Sequence, residues 1–256
     1  MFISTDGIVL KQIKTAGNQR IVVLFTKKYG KIRVGTDYGE KNRKNSRLAF
    51  HPFTHAEYDL FKNRGYYSIN SVRVKNSYYA IGEDIDRFLI ASKMLEYLDA
   101  ILEEELPQPK YFDLAIEFFN ALVKSKNNYK TILYAFIIKT FVYQGIKPEL
   151  DRCIECGKDL TDFNEYKSGH FPAFSVGGGG IICEDCITGD KRDSGLLIFR
   201  PEFDIVKVLK YFSNNDISLF CKIKLKDSVS TELERILDSY LNYYLDIKLF
   251  SNDITL

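Results

Sequence analysis

Hydrophobic and polar residues in the first 80 positions follow patterns typical of β-strands. Arg20–Thr26 is almost continuously apolar, as in a strand that is buried on both faces. Lys31–Val34 alternates, which sends its two basic side chains to one face and its two aliphatic side chains to the other. Further strands are predicted at Gly7–Leu10, Phe53–Phe61 and Tyr66–Lys75. Five short strands in this order predict a small barrel, and their number and length favour an OB-fold.

From Gly82 onward the spacing of apolar residues becomes helical. Apolar positions recur every three or four residues between Ile85 and Leu102, and Pro107 and Pro109 close the segment. Later helices are predicted at Tyr111–Val123, Tyr129–Tyr143, Asp204–Phe212 and Ser228–Leu249. The pattern therefore predicts an α+β protein, with an N-terminal OB-fold β-barrel over residues 1–80. A mainly helical domain follows over residues 81–256, with a cysteine-bearing segment embedded at about 151–195.

Charge is distributed unevenly along the chain. The formal net charge is only +2, but residues 1–80 hold 15 Lys and Arg against 5 Asp and Glu. Residues 81–256 hold 21 basic residues against 29 acidic ones. This asymmetry predicts a module that binds a polyanion, attached to an acidic body. A basic surface that is merely solvated is the alternative.

The densest basic segment is Lys41–Arg47, which carries four positive charges and no negative one. OB-folds bind single strands in a basic groove that is bordered by such loops, and tyrosines can stack on the bases. The predicted DNA contacts are Lys11, Arg20, Lys27, Lys28, Lys31, Arg33, Lys41, Arg43, Lys44 and Arg47. The candidate stacking residues are Tyr29, Tyr38, Tyr66 and Tyr67, each of which could instead pack the barrel or its rim.

Two Cys-x-x-Cys pairs form the sharpest chemical motif. Cys153 and Cys156 precede Cys183 and Cys186, with 26 residues between the pairs. Closing that loop costs about 3 kcal/mol, whereas structural zinc contributes on the order of 10 kcal/mol or more. Disulfides are disfavoured in a cytoplasmic protein, and a redox motif would need only one pair. The four cysteines predict one structural Zn²⁺ with no open coordination position.

No catalytic motif is found. His51 and His55 are four positions apart, but Pro52 between them disfavours a helix, and no His-Glu-x-x-His motif exists. The glycines at 177–180 lack the Lys-Ser/Thr of a phosphate loop, so a flexible turn that positions the second cysteine pair is predicted. Glu103–Glu105 is interpreted as a solvated helix end, Cys221 as a buried small residue, and His170 as a surface residue or a neighbour of the metal ligands. The sequence therefore favours a protein that is not an enzyme.

The chain contains no run of about 18 apolar residues that could span a membrane. Its first residues have neither a basic segment nor a cleavage site of small residues. We therefore expect a cytoplasmic, nucleoid-associated protein.

Several segments together resemble the RecO family of recombination mediators. Leu24–Gly30 is similar to the family's strand-and-turn segment, and the stretch from Gly39 to Arg47 resembles its basic loop. The two cysteine pairs, with Phe174-Ser175 and Gly178-Gly179 between them, match its zinc segment in order and approximate spacing. Tyr240–Ser251 is similar to its closing helix.

The resemblance implies an OB-fold, a helical domain with a zinc module, and binding and annealing of single-stranded DNA, with double-stranded DNA as a further ligand. It also implies two protein partners, RecR and the single-stranded DNA-binding protein, with which the family loads recombinase onto coated DNA. Two other classes stay open: a zinc-ribbon transcription or translation factor, and a nucleic-acid-modifying enzyme.

Overall fold

The computed structural model describes residues 1–14, 20–36, 48–161, 171–187 and 197–250. These residues divide into two compact units, Met1–Tyr129 and Lys130–Leu256. The predicted boundary near residue 80 follows the last strand of the barrel and lies within the first unit. As a boundary between domains it stays a prediction.

The first unit begins with a closed five-stranded barrel in the order β1-β2-β3-β5-β4, which confirms the predicted barrel. Its strands are β1 (Phe2–Lys14), β2 (Arg20–Thr26), β3 (Gly30–Thr36), β4 (His55–Asn63) and β5 (Tyr66–Asn76). β1 pairs with both β2 and β4, and a parallel pair between β3 and β5 closes the barrel. The inward side chains form one apolar core, which includes Ile3, Val22, Leu24, Val34, Tyr58 and Leu60.

β1 is much longer than the predicted Gly7–Leu10. It begins at Phe2, and its register shifts between Val9 and Lys11. Residues Phe2–Asp6 alternate between exposed and buried positions, which is the signature of a strand with one solvated face. A continuous apolar run finds only the segment that is buried on both faces, so it missed both ends of this strand.

Two helices complete the first unit. A 3₁₀ turn (Tyr79–Glu83) leads into α1 (Ile85–Ile101) and then α2 (Pro109–Lys124). The carboxylate of Asp84 accepts a hydrogen bond from the main-chain N–H of Arg87 at 2.8 Å, which caps α1. Aromatic rings of the two helices contact rings of the barrel segment. The ring centroids of Phe112 and Phe25 are 5.5 Å apart, and those of Phe88 and Phe53 are 5.6 Å apart. The helices therefore pack on the barrel through their apolar faces.

The second unit combines helices with a small sheet. Its elements are α3 (Tyr129–Tyr143, whose first residue belongs to the first unit), β6 (Ala173–Ser175), β7 (Gly180–Ile182), α4 (Glu184–Ile187), β8 (Ile198–Phe199), α5 (Ile205–Asn214), a 3₁₀ turn (Ile217–Lys222) and α6 (Asp227–Leu245). The three short strands pair in the order β7-β6-β8. They were not predicted, because two or three residues are too few to show a period.

The last predicted helix ends four residues earlier than expected. α6 stops at Leu245, not at Leu249, because Asp246 adopts a left-handed conformation with φ 55° and ends the helix. In the part of the chain that is described, every helix is too short or too polar to cross a lipid bilayer.

Candidate metal centre and nucleic-acid interface

The four predicted cysteine ligands come together at one point of the second unit. The Sγ atoms of Cys153, Cys156, Cys183 and Cys186 all lie within 4.8 Å of one another. Those of Cys156 and Cys183, one from each pair, are 3.7 Å apart. Zn–S bonds of about 2.3 Å in a tetrahedron place neighbouring sulfurs about 3.8 Å apart. The donor set and its spacing therefore fit a four-coordinate zinc ion.

The local fold explains why the two pairs converge. Gly157 follows the first pair at φ 74°, and its N–H donates to the carbonyl of Cys153 at 2.9 Å. The second pair begins directly after β7, where the N–H of Cys186 donates to the carbonyl of Cys183 at 3.2 Å. A hydrogen bond from the N–H of Ile154 to the carbonyl of Ile181 at 3.0 Å ties the two segments together. Each pair thus forms a tight turn, and β7 brings the turns into contact.

Main-chain amides favour the thiolate form at one ligand. Burial raises the pKa of Cys153, but N–H groups of Cys183, Cys156 and Glu155 outweigh it and lower the pKa to about 7. The Cys183 amide lies 3.3 Å from the Cys153 sulfur. At Cys183, burial raises the pKa, and at Cys186 the thiols of Cys183 and Cys156 raise it. A divalent cation would instead lower the pKa values of these thiols, because it stabilises all four as thiolates.

The glycine run before the second pair is a tightly packed turn. A Cβ at Gly180 would lie 2.7 Å from the carbonyl oxygen of Glu149, and one at Gly178 would lie 2.3 Å from Ile154 Cδ1. Gly179 has φ +69°. The predicted turn is therefore present and closely packed, and its flexibility stays a prediction. Lack of side chains lets β7 approach the segment that carries the first cysteine pair.

Two other predictions concern residues near this centre. Cys221 is only half-buried, so its interpretation as a buried small residue is wrong. It carries no disulfide and does not belong to the four-cysteine cluster. His170 lies outside the described residues, and its predicted role stays a prediction.

Half of the predicted DNA contacts lie beyond what the structure describes. Those residues are Lys41, Arg43, Lys44 and Arg47 of the basic loop, together with the side chain of Arg20. Tyr38, a candidate stacking residue, also lies outside the described part. Their assignment stays a prediction.

Four of the remaining basic residues form ion pairs inside the first unit. Lys11 and Lys31 share the Asp99 carboxylate, at 2.5 Å and 3.5 Å. Two more pairs link the barrel to the helical segment: Lys27 with Asp113 at 2.6 Å, and Arg33 with Glu104 at 2.7 Å. The side chain of Lys31 is only 13% exposed. No local sequence pattern signals these pairs, because the partners are 68 to 88 positions apart.

Glu104 and Glu105 are likewise partners of the barrel. Glu104 pairs with Arg33, and Glu105 lies 3.3 Å from Lys62. Both side chains stay about half exposed, and α1 has already ended at Ile101. The interpretation of this run as a solvated helix end is therefore wrong for these two residues. They lie in the connection between α1 and α2.

Lys28 differs from the other predicted contacts. Its Nζ donates to the main-chain carbonyl of Ser4 at 3.1 Å, and within the described ranges it has no carboxylate partner. Of the candidate stacking residues, Tyr67 is 5% exposed and belongs to the barrel core, and Tyr29 packs against that core. Tyr66 is 81% exposed. Lys28 and Tyr66 are thus the described candidates that a nucleic acid could reach directly.

Two family models match successive parts of the chain. The model described as Recombination protein O N terminal matches residues 1–78, and the one described as Recombination protein O C terminal matches residues 82–253. A DNA repair protein RecO from Alkaliphilus metalliredigens is 30% identical over 249 residues, which cover 96% of this chain and 95% of the relative. Proteins of the same name from Desulforamulus reducens and Bacillus pumilus are each 29% identical, over 95% and 98% of this chain and 90% and 92% of the relative.

Proposed function

The chain belongs to the RecO family of DNA repair proteins, and on that premise we propose that it is a non-enzymatic mediator of homologous recombination. In this role it binds single-stranded DNA, anneals complementary strands and assists recombinase loading. Its site of action is the cytoplasm, at the nucleoid. The observation that carries the proposal is a closed OB-type barrel formed within the first 80 residues of the chain. These residues hold 15 basic side chains against 5 acidic ones.

Phosphate binding is assigned first to cations that carboxylates do not already hold. Lys28 meets this condition among the described residues. The loop residues Lys41, Arg43, Lys44 and Arg47 add four charges in seven positions. Clustered positive charge of this kind attracts a polyanion and releases its counterions. Because these contacts go to phosphates, the base edges stay free to pair with a second strand.

Direct contact with phosphate is less favoured for the other described cations, which are Lys11, Lys27, Lys31 and Arg33. Each would have to leave Asp99, Asp113 or Glu104 before it could bind phosphate. Exposed ion pairs are worth about 1 kcal/mol or less, so Lys27 and Arg33 can exchange partners at little cost. The enclosed Lys31 cannot do so without opening the contact with α1. In the proposed complex, Lys27 and Arg33 supplement the loop, whereas Lys31 holds the helix.

The cysteine cluster has a structural role in this mechanism. Cys153, Cys156, Cys183 and Cys186 would hold one zinc ion, which supplies a rigid crosslink between the two turns. Four sulfur ligands complete a tetrahedron and leave no position for water or substrate. The proposed function accordingly requires no turnover at the metal.

RecR and the single-stranded DNA-binding protein are the proposed protein partners. A groove of about 560 Å³ in the second unit supports peptide docking, and its lining includes Val208, Tyr211, Phe212, Phe220, Ile223 and Leu225. Three exposed lysines alternate with Ile223 and Leu225: Lys222, Lys224 and Lys226. A partner segment with apolar anchors and acidic neighbours would match this surface. Lys222→Glu with Lys224→Glu should weaken binding of such a partner and leave DNA binding unchanged.

An annealing assay tests the proposed function. Two complementary oligonucleotides, one with a fluorophore and one with a quencher, report strand annealing by loss of fluorescence. We expect the wild-type protein to accelerate annealing, and a variant with Lys41, Arg43, Lys44 and Arg47 changed to Gln to lose most of that acceleration. The matched control changes Lys222, Lys224 and Lys226 to Gln, which removes exposed charges from the second unit. No acceleration by the wild-type protein would contradict the proposal.

A further inference from the structure

Three aromatic side chains occupy outward positions at one end of the barrel, where alternation predicts polar residues. Phe2 is 70% exposed, Phe61 is 37% exposed and Tyr66 is 81% exposed. Most other solvent-accessible outward positions along these strands are polar; they include Ser4, Asp6, Glu57, Asp59, Asn63, Ser68 and Asn70. The three aromatic residues therefore break the alternation in the same region of the surface.

The strand register makes these residues neighbours. Phe2 is paired with Phe61 across β1 and β4, and their ring centroids are 5.1 Å apart. Across β4 and β5, Phe61 is paired with Ser68 and Asn63 with Tyr66. Tyr66 is thus the diagonal neighbour of Phe61 on the same face, a relation that spans about 7–8 Å and is within reach of aromatic side chains. Phe2 and Phe61 are in ring contact, and Tyr66 lies at the next diagonal position on the same face; we name these three residues the aromatic platform.

Folding of the barrel does not account for the aromatic platform. The core is filled by the inward residues of the same strands, such as Tyr58, Leu60 and Tyr67. The turn before Tyr66 has positive φ at both Arg64 (46°) and Gly65 (85°), a two-residue hairpin geometry that needs no aromatic residue after it. Contiguous exposed apolar surface with a polar border marks an interaction site.

The charge around the aromatic platform indicates what binds there. Arg64 is exposed in the turn two residues before Tyr66, and Lys28 Nζ lies 3.1 Å from the carbonyl of Ser4, two residues after Phe2. Within the described residues, neither cation is paired with a carboxylate. The carboxylate of Asp59 on the same face accepts hydrogen bonds from Ser71 and Ser4. Stacking surfaces beside unpaired cations are the composition of a site for single-stranded nucleic acid.

We infer that the aromatic platform stacks bases of single-stranded DNA while Arg64 and Lys28 hold the adjacent phosphates. This inference rests on the proposed function and adds a binding site for the bases to it. Stacking uses the faces of the bases and leaves their pairing edges open. A strand held in this way is splayed and ready to pair, which is the state that annealing requires.

Binding of two fluorescent oligonucleotides of equal length tests the inference. One is oligo(dT), and the other has the same backbone with abasic sites at every position. We expect the wild-type protein to bind oligo(dT) more tightly by about fivefold or more, since stacking of even one base gives that factor. Tyr66→Ser, alone and with Phe61→Ser, should reduce this preference and leave abasic binding and its salt dependence unchanged.

Matched variants separate stacking from charge and from damage to the fold. Tyr79→Ser removes another tyrosine of the first unit that is 70% exposed, and it should keep the full preference for oligo(dT). Arg64→Gln should weaken binding of both oligonucleotides by the same factor. Phe61→Leu keeps an apolar side chain without a ring, so a lost preference in this variant would confirm stacking even if Phe61→Ser were unstable.

The possible results also distinguish this inference from the proposed function. Equal affinity of the wild-type protein for both oligonucleotides would overturn the aromatic platform as a base site, while phosphate binding would stand. No binding to either would overturn the proposed function and the inference with it. A preference that survives Tyr66→Ser and Phe61→Ser, in a variant that no longer binds RecR, would instead assign the platform to a protein partner.

Discussion

Lys31 and Asp99 are joined by two interactions. The ammonium of Lys31 donates to the main-chain carbonyl of Asp99 at 2.6 Å and lies 3.5 Å from its carboxylate. Lys11 approaches the same carboxylate at 2.5 Å. One acidic residue of α1 thus pairs with two of the basic residues that the sequence assigns to DNA. Part of the basic surplus of the barrel therefore holds the helical segment, and in the proposed function the rest binds phosphate.

Asp99→Asn tests whether the basic residues that pair with Asp99 hold the helical segment on the barrel. The enclosed Lys31 ammonium loses its carboxylate, so we expect the free energy of unfolding to fall by about 1–3 kcal/mol in urea denaturation. Binding of single-stranded DNA should stay equal or rise, because Lys11 is released. Asp113→Asn is the control, since its pair with Lys27 is exposed and should change stability by about 1 kcal/mol or less. Weaker DNA binding at unchanged stability would contradict this division.

Removal of one proposed metal ligand should unfold the module around the cysteine cluster. Cys183→Ser leaves three sulfurs, and we expect the bound zinc per chain to fall from one to nearly none by elemental analysis. The thermal midpoint should fall with it, because structural zinc contributes on the order of 10 kcal/mol in small peptides. Cys221→Ser is the matched control and should keep the metal. Retention of zinc by Cys183→Ser would show that the four-sulfur site is wrong.

Gly180→Ala should destabilise the second unit although it adds one methyl group. Its Cβ would lie 2.7 Å from both the Glu149 carbonyl oxygen and Ile154 Cγ2, so β7 must move away. We expect the free energy of unfolding in urea denaturation to fall by about 1–3 kcal/mol, which is typical of overpacking. Gly82→Ala meets no atom within 4 Å and serves as the control. Equal stability of the two variants would mean that the close approach of β7 is not needed.

His55 should make stability depend on pH. Burial lowers its pKa below 6.5, against an opposing effect of Asp6. The unfolded chain therefore takes up a proton at higher pH than the folded chain does. Stability is fully present above pH 6.5 and is lost as the pH falls through the folded-state pKa. We expect His55→Gln to flatten this part of the profile in urea denaturation. His51→Gln, at an exposed position, should leave the profile unchanged, and the same profile for both variants would contradict the assignment.

The sequence predicts what depends on local pattern and local spacing. The five strands and α3 follow from periodicity over neighbouring residues, and the cysteine pairs follow from Cys-x-x-Cys spacing. The ion pairs of Lys31 and Arg33 depend on folding over about 70 residues, so no local pattern contains them. The pairing of Phe2 with Phe61 is of the same kind. It needs the register between two strands that are distant in the sequence.

The salt dependence of binding to single-stranded DNA tests the central claim most directly. Affinity for a fluorescent oligonucleotide is measured across a range of salt concentrations, for the wild-type protein and for the variant with Lys41, Arg43, Lys44 and Arg47 changed to Glu. If five phosphates are neutralised, log affinity should fall against log salt with a slope of about −3.5. We predict that slope for the wild-type protein and a much shallower slope with weaker binding for the variant. Weak, salt-independent binding by both proteins would contradict the claim that the barrel is a DNA-binding module.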